Sequence, residues 1–278
     1  MSFKEDGVVR HYASVDLLPR ILAGIEQAGI DPESLTSDQL KAVDEFHIGG
    51  AEATAHLLDK LTIDQRTRVL DIGSGIGGPA RTIASRYRCE VTGIDLTPAY
   101  VDTATELTRR CGLSDKVRFD VASATALPFA SACFDLATMF HVGMNIPDKT
   151  TLFAETRRVL SPKGMFAVYD VMHVGQGDPA YPLPWSETPE FSALATPETY
   201  RSAASSAGFE LLGETDRRGV ALAFFERVQA QASANGPAPL GLHLLMGPTV
   251  GEKVKNMVSA IKAGMIAPVQ MIFKAPAS

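Results

Sequence analysis

The chain has 278 residues, 45% of them hydrophobic and 21% charged, which is typical of one enlarged globular domain. The net charge of −6 and the lack of any basic cluster longer than an arginine pair argue against nucleic-acid binding. No apolar run reaches the roughly 18 residues that span a bilayer, and the first residues lack the apolar segment of a secretory signal. We therefore expect a cytoplasmic protein that binds neither nucleic acid nor membrane.

Three cysteines, Cys89, Cys111 and Cys133, are odd in number and show no Cys-x-x-Cys spacing. This pattern predicts reduced thiols rather than a disulfide framework. No cluster of His, Cys and Asp has the spacing of metal ligands, so we expect no metal site.

The first 60 residues are predicted to be helical. Residues 14–29 form one helix that stops at Gly29, and residues 37–61 form a second helix interrupted near Gly49 and Gly50.

After residue 60, short apolar strands alternate with helices. The strands are predicted at residues 68–73, 89–95, 117–122, 134–141 and 165–172, and the helices between them end near Tyr87, Gly112 and Leu160. Such alternation predicts a parallel, doubly wound α/β sheet.

The last hundred residues contain a Pro/Gly-rich insertion and two further helices. The elements are an insertion at 174–197, a strand at 209–216, helices at 218–234 and 250–263, and a strand at 269–275. In the second helix, Val254, Met257, Val258 and Ile261 form an amphipathic stripe. We interpret residues 218–264 as a lid inserted before the final strand.

A glycine-rich turn, VLDIGSGIGG at 69–78, ends the first strand and opens a helix. Glycines there let a ligand approach the backbone, and the helix N-terminus presents free N–H groups. Because Gly73, Gly75 and Gly78 also satisfy G-x-G-x-x-G, a nicotinamide or flavin oxidoreductase is an alternative. Asp95 at the end of the second strand suits ribose hydroxyls in either case.

Asp71 favours one of these ligands. A dinucleotide would bring an anionic pyrophosphate close to this carboxylate, which would repel it. S-adenosylmethionine has no phosphate and carries an ammonium and a sulfonium, which a carboxylate attracts. The sequence thus favours S-adenosylmethionine, with a dinucleotide oxidoreductase or a non-catalytic S-adenosylmethionine-binding module as the alternatives from other classes.

Five segments resemble, in order and spacing, the motifs of class I methyltransferases. They are DEFHIGGAEAT at 44–54, VLDIGSGIGGPAR at 69–81, VTGIDLTPAYVDTA at 91–104, ATALPFASACFDLATMFHVGMNIPDK at 124–149 and RVLSPKGMFAVYDV at 158–171. Within that class the chain is similar to the group of sarcosine/dimethylglycine N-methyltransferases and ubiquinone/menaquinone C-methyltransferases.

The resemblance covers about residues 40–216 and implies a Rossmann-like seven-stranded methyltransferase core. We expect an N-terminal helical cover at 1–60, the cofactor-binding core at 61–217, a helical cap at 218–264 and the last strand at 265–278.

The resemblance also implies the cofactor, S-adenosylmethionine with S-adenosylhomocysteine as product, and the residues that bind it. The expected cofactor-binding residues are Asp71, Gly73, Ser74, Gly75, Asp95, Leu96, Ser123, Ala124 and Phe140. Relatives usually carry Asp where this chain has Ser123, to accept from the adenine amino group. Either Ser123 replaces that acceptor or the contact is weakened.

The candidates for catalysis are histidines and aromatic residues. His141, after the fourth strand, is the candidate base or orienting group, or else a histidine bonded to a nearby carbonyl. His47 either lines the cofactor mouth or ends a helix. Tyr181 and Trp185 either wall the substrate site or pack their own loop. Weaker candidates for the site or its lid are Tyr12, Asn145, His243 and Met246.

We therefore expect methyl transfer to a small molecule, with amine N-methylation as the first choice. The alternative is C- or O-methylation of a phenol, quinone or prenyl-type substrate. Transfer to an activated carbon needs no metal, because proximity, alignment and exclusion of water supply the catalysis. The sequence does not predict the oligomeric state.

Overall fold

The computed structural model describes residues 5, 7, 11, 16–236 and 238–277, so Tyr12 lies outside the described residues. Between residue 16 and the sheet, the structure describes three helices: α1 (Leu17–Gln27), α2 (Ser37–Asp44) and α3 (Gly50–Leu58). The predicted 37–61 helix is two helices, because Gly49 takes a left-handed φ of 89° and starts α3 in a new direction.

The core is a seven-stranded sheet with helices on both faces, which confirms the predicted fold class. Its strands are β1 (Arg68–Ile72), β2 (Glu90–Asp95), β3 (Val117–Val121), β4 (Phe134–Phe140), β5 (Leu160–His173), β6 (Glu210–Asp216) and β7 (Ile266–Lys274). Their order is β3-β2-β1-β4-β5-β7-β6. The helices that connect these strands are α4 (Gly78–Tyr87), α5 (Pro98–Arg110), α6 (Lys149–Val159) and α7 (Pro197–Ser206). Helix α7 was not predicted.

The prediction of a parallel sheet is wrong for one strand. β7 runs antiparallel to both β5 and β6. The chain leaves β6 at Asp216 and returns beside it, where Asp216 pairs with Val269 and Arg217 N donates to Pro268 O at 2.9 Å. Because the chain re-enters the sheet at the edge where it left, β7 must run in the opposite direction. An apolar strand pattern carries no information on direction.

Three helices form the excursion between β6 and β7: α8 (Arg218–Asn235), the four-residue α9 (His243–Met246) and α10 (Val250–Lys262). An apolar cluster joins α8 and α10 to the carboxyl edge of the sheet, and it includes Met144, Trp185, Ala221, Met257, Ile261 and Ile266. In the described part of the chain, no helix is both long and apolar enough to cross a membrane.

Candidate active site

A cavity of about 480 Å³ opens at the carboxyl ends of β1 to β4. Strand ends and the turns that follow them form its floor. The segment between α2 and α3, the loop around Trp185 and the helices after β6 form its walls. Parallel α/β sheets bind ligands at this edge, so the cavity is the natural site for a small molecule.

The glycine-rich turn is held in an open shape by backbone contacts. Ser74 N donates to Ile94 O at 2.8 Å, and Gly75 N donates to Asp95 Oδ2 at 3.0 Å. Gly75 has a φ of 54°, and a Cβ there would lie 2.8 Å from Phe46 Cζ. A side chain at this position would therefore be strained and would push against the cavity wall.

Asp71 is 1% exposed and has one oxygen available to a ligand. Its Oδ1 accepts from Thr138 Oγ1 at 2.7 Å, whereas its Oδ2, like Ser74 Oγ, is buried without a partner among the described residues. Burial raises the pKa of Asp71 to about 7. A buried carboxylate oxygen without a donor fits the ammonium of a methionine moiety, which would supply the missing hydrogen bond.

Asp95 lies at the end of β2, and its carboxylate joins two turns. Oδ2 accepts from Gly75 N, and Oδ1 accepts from Thr97 N at 2.9 Å. Burial raises the pKa of this group. A carboxylate oxygen has two lone pairs, so each can also accept a ribose hydroxyl. The side chain thus both shapes the glycine turn and faces the cavity.

The region expected to meet adenine follows β2 and β3. Leu96, Ser123 and Ala124 all line the cavity there. Ser123 Oγ donates to Glu5 Oε1 at 2.7 Å and accepts from Thr125 N at 3.2 Å. Glu5, from the N-terminus, lines the same region, and no motif in the sequence indicated it.

His141 lines the cavity directly after β4. Its φ of 53° is left-handed, which costs about 1–3 kcal/mol for a residue with a side chain. Its backbone N–H donates to Tyr169 O at 2.8 Å, while its buried Nε2 has no partner among the described residues. Burial, and secondarily His47, hold the pKa of the His141 imidazole well below its usual value. The ring is therefore neutral near pH 7, and one of its nitrogens has a lone pair that can accept a hydrogen bond.

His47 and Phe140 pack beside His141. The ring of His47 lies 5.1 Å from that of Phe140 and 5.8 Å from that of His141, measured between centroids. His47 Nε2 contacts Gly50 O and Thr54 Oγ1, each at 3.0 Å. Burial lowers the pKa of His47 to about 4. Both residues line the cavity, but the His47 nitrogen is already engaged within the α2–α3 segment.

The two aromatic residues of the YPLPW loop are in different places. Trp185 lines the cavity, is 2% exposed and donates from Nε1 to Ser192 Oγ at 3.0 Å. Tyr181 is half-buried in the apolar cluster under the cap and is not among the lining residues.

The outer half of the cavity is apolar. Aromatic and aliphatic side chains from five separate segments form this wall: Ile48, Met144, Trp185, Phe224, Phe225 and Met257. Apart from Trp185 and the amphipathic stripe that contains Met257, sequence reasoning did not select them. The one sequence signal for this wall was the adjacent pair Phe224 and Phe225 in α8, which follows the apolar residues Ala221 and Leu222.

Of the weaker site candidates, two line the cavity and one is exposed. Asn145, in the turn after β4, and Met246, in α9, line the cavity. His243 is exposed, and its carbonyl accepts from Arg20. Among the described residues, no group of three His, Cys, Asp or Glu side chains could hold a metal ion.

A buried ion pair lies beneath the glycine turn. Arg81 Nη2 donates to Asp44 Oδ2 and to Ile76 O, both at 2.7 Å, and the Arg81 side chain is fully buried. Burial raises the pKa of Asp44 to about 6, and the nearby Arg81 charge opposes that rise. The pair ties α2 to the turn that forms the cavity floor.

Comparisons with known proteins agree with this geometry. A methyltransferase domain family model matches residues 70–168. Methyltransferase GfsG of Streptomyces halstedii is 29% identical over 218 residues, which cover 76% of this chain and 73% of that protein. The 2-methyl-6-phytyl-1,4-hydroquinone methyltransferase of a Synechocystis strain is 36% identical over 148 residues, covering 53% of this chain. The aligned part spans only 45% of that relative.

A solved structure shares the whole fold. The geranyl diphosphate C-methyltransferase of Streptomyces coelicolor superposes with a TM-score of 0.72 at 19% identity, covering 98% of each chain.

Proposed function

Since the chain is a class I S-adenosylmethionine-dependent methyltransferase, we propose that it methylates a hydroxyl of a large, mainly apolar acceptor such as a prenylated phenol. The observation that carries the proposal is His141, a half-buried neutral imidazole that lines the same cavity as the apolar wall and whose buried Nε2 has no partner among the described residues. The sequence alone favoured an amine, and the cavity wall leads us to prefer its alternative.

An apolar acceptor suits the outer wall because burying its surface there is favourable, by about 25 cal/mol per Å². An amine arrives protonated at neutral pH, and a carboxylate beside it would have to take up its proton before methyl transfer. None of the six side chains that form the outer wall is acidic. Two proteins similar to this chain, named for a phytyl hydroquinone and for geranyl diphosphate, act on molecules with long apolar groups.

Each part of the cavity has a proposed task. When bound, S-adenosylmethionine supplies the activated methyl group. Asp71, Ser74 and the glycine turn would hold its methionine part, and Asp95 its ribose. The apolar outer wall, which includes Phe225, orients the acceptor and excludes water. His141 Nε2 accepts the proton that the acceptor hydroxyl loses.

The test is methyl transfer to a matched set of acceptors. Labelled S-adenosylmethionine is offered with a prenylated phenol, its O-methyl ether and dimethylglycine. We expect O-methylation of the free phenol alone. His141→Gln should lower kcat by about 100-fold or more while leaving the Kd for S-adenosylhomocysteine unchanged. His243→Gln, an exposed histidine, is the control.

The pH profile gives a second criterion. Because the pKa of His141 is lowered, its basic form persists below pH 6.5, and activity is lost only as the pH falls through the lowered value. Turnover of dimethylglycine but not of the phenol, or full activity of the His141 variant, would contradict the proposal.

A further inference from the structure

The sheet order fixes where an adenine base would lie. Asp71 ends β1, Asp95 ends β2, and residues 122–125 follow β3, so the three sites succeed one another along the cavity floor. A ligand with its methionine part at Asp71 and its ribose at Asp95 places its base at 122–125. The carboxylate expected in this segment is missing, because position 123 is a serine.

The structure places a carboxylate at that point from another part of the chain. Glu5 lines the cavity, and its Oε1 accepts from Ser123 Oγ at 2.7 Å. The two residues are 118 positions apart in sequence. Ser123 thus donates its proton to Glu5, and its oxygen is engaged by Thr125, whose N–H it accepts at 3.2 Å, so Glu5 is the better acceptor for the base.

We propose that Glu5 accepts the hydrogen bond of the adenine exocyclic amino group and so sets the specificity for the base. This inference rests on the assignment of S-adenosylmethionine as cofactor. An ionised carboxylate accepts several hydrogen bonds at once, so Glu5 can bind Ser123 and an amino group together. Ser123 is then a positioning residue that orients the Glu5 carboxylate.

Two neighbours of Glu5 attach the N-terminus to the loop above the cavity. A Cβ on Gly7 would collide with the ring of Phe191, so the two residues already pack closely. His11 Nε2 lies 3.0 Å from Pro184 O, and Pro184 lines the outer cavity beside Trp185. The contacts that place Glu5 over the base therefore reach the loop that walls the acceptor site.

The experiment compares two ligands that differ at one position of the base. Calorimetry gives the Kd of S-adenosylhomocysteine and of S-inosylhomocysteine, in which a carbonyl oxygen replaces the amino group. Wild type should prefer the adenine ligand, because the Glu5 carboxylate attracts the amino group and repels the carbonyl. Glu5→Gln should raise the Kd of the adenine ligand about tenfold. This is the lower limit for losing a hydrogen bond to a charged group, and it applies because Glu5 is partly exposed.

The preference for adenine should also shrink or invert in Glu5→Gln, because the new amide can donate to the carbonyl. Glu26→Gln, at an exposed glutamate of α1, is the matched control and should resemble wild type. Gly7→Ala keeps the Glu5 carboxylate but disturbs the packing of residue 7 against Phe191. It should therefore raise the Kd of S-adenosylhomocysteine several-fold.

An unchanged ratio of the two Kd values in Glu5→Gln would overturn the proposal. A loss of affinity for S-adenosylhomocysteine in Glu26→Gln as large as that in Glu5→Gln would overturn it too. Because the measurement needs no methyl acceptor, a failed turnover assay counts only against the proposed acceptor. Absence of S-adenosylhomocysteine binding by the wild type would overturn both.

Discussion

The floor and the outer wall of the cavity are built from different parts. At the floor, Asp71 and Asp95 extend from the ends of adjacent strands and are fixed by hydrogen bonds, Asp71 from Thr138 of β4 and Asp95 from the turns that follow β1 and β2. The outer wall consists of apolar side chains, such as Phe225 and Met257, that come from distant segments. Removing one member of a polar network leaves its buried partners without hydrogen bonds and costs much free energy. Apolar surfaces tolerate the replacement of one side chain by another of similar volume. The floor should therefore be sensitive to single substitutions and the wall more tolerant.

The largest effect is expected beneath the floor. Arg81→Ala leaves Asp44 buried without its partner, which should lower the free energy of unfolding by about 3–5 kcal/mol. Chemical denaturation monitored by circular dichroism measures this loss. The control is Arg86→Ala in the same helix, whose ion pair with Asp59 is exposed and should contribute no more than about 1 kcal/mol.

A double variant sharpens this result. Arg81→Met combined with Asp44→Asn removes both charges and should recover part of the stability. Equal losses in the Arg81 and Arg86 variants would show that the buried pair does not secure the floor.

The next effect concerns the floor itself. Asp95→Ala removes the expected acceptor of the ribose hydroxyls and also releases Gly75 N. A hydrogen bond to a charged group is worth about 1.5–3 kcal/mol, so the Kd values of S-adenosylmethionine and S-adenosylhomocysteine should both rise roughly 10- to 150-fold. Asp120→Ala, at an exposed carboxylate of β3, is the control in the same calorimetric titration. Wild-type affinity in Asp95→Ala would refute the ribose assignment.

The smallest effect is expected at the wall. Phe225→Ala removes partly buried apolar surface worth about 1 kcal/mol, so the KM for a prenylated phenol should rise about fivefold. The Kd for S-adenosylhomocysteine should change less than twofold. Val228→Ala, on the exposed side of the same helix, should change neither constant. A larger effect on the cofactor than on the acceptor would mean that the floor and wall are not separable.

The floor could be predicted from sequence because its geometry is local. The turn at 69–78 and the end of β2 lie within 27 residues, and glycine positions report the backbone shape directly. The position of Asp71 at a strand end also followed from the apolar pattern. The structure adds the hydrogen-bond partners of these side chains, such as Gly75 N for Asp95.

The wall could not be predicted because it depends on contacts across the whole chain. Trp185 and Tyr181 are four residues apart, yet only Trp185 is among the lining residues. The Glu5–Ser123 contact joins the N-terminal segment to the turn after the third strand. Both pairings require the tertiary fold, which no local pattern encodes.

The return of β7 beside β6 has a consequence for engineering. Because Asp216 pairs with Val269 and Arg217 contacts Pro268, residues 218–264 leave and rejoin the sheet at neighbouring points. A segment with clamped ends can be replaced as one cassette without altering the register of any strand. Chimeras that exchange this cassette between related enzymes should therefore fold, and should carry the donor's choice of acceptor into a recipient that keeps its own cofactor.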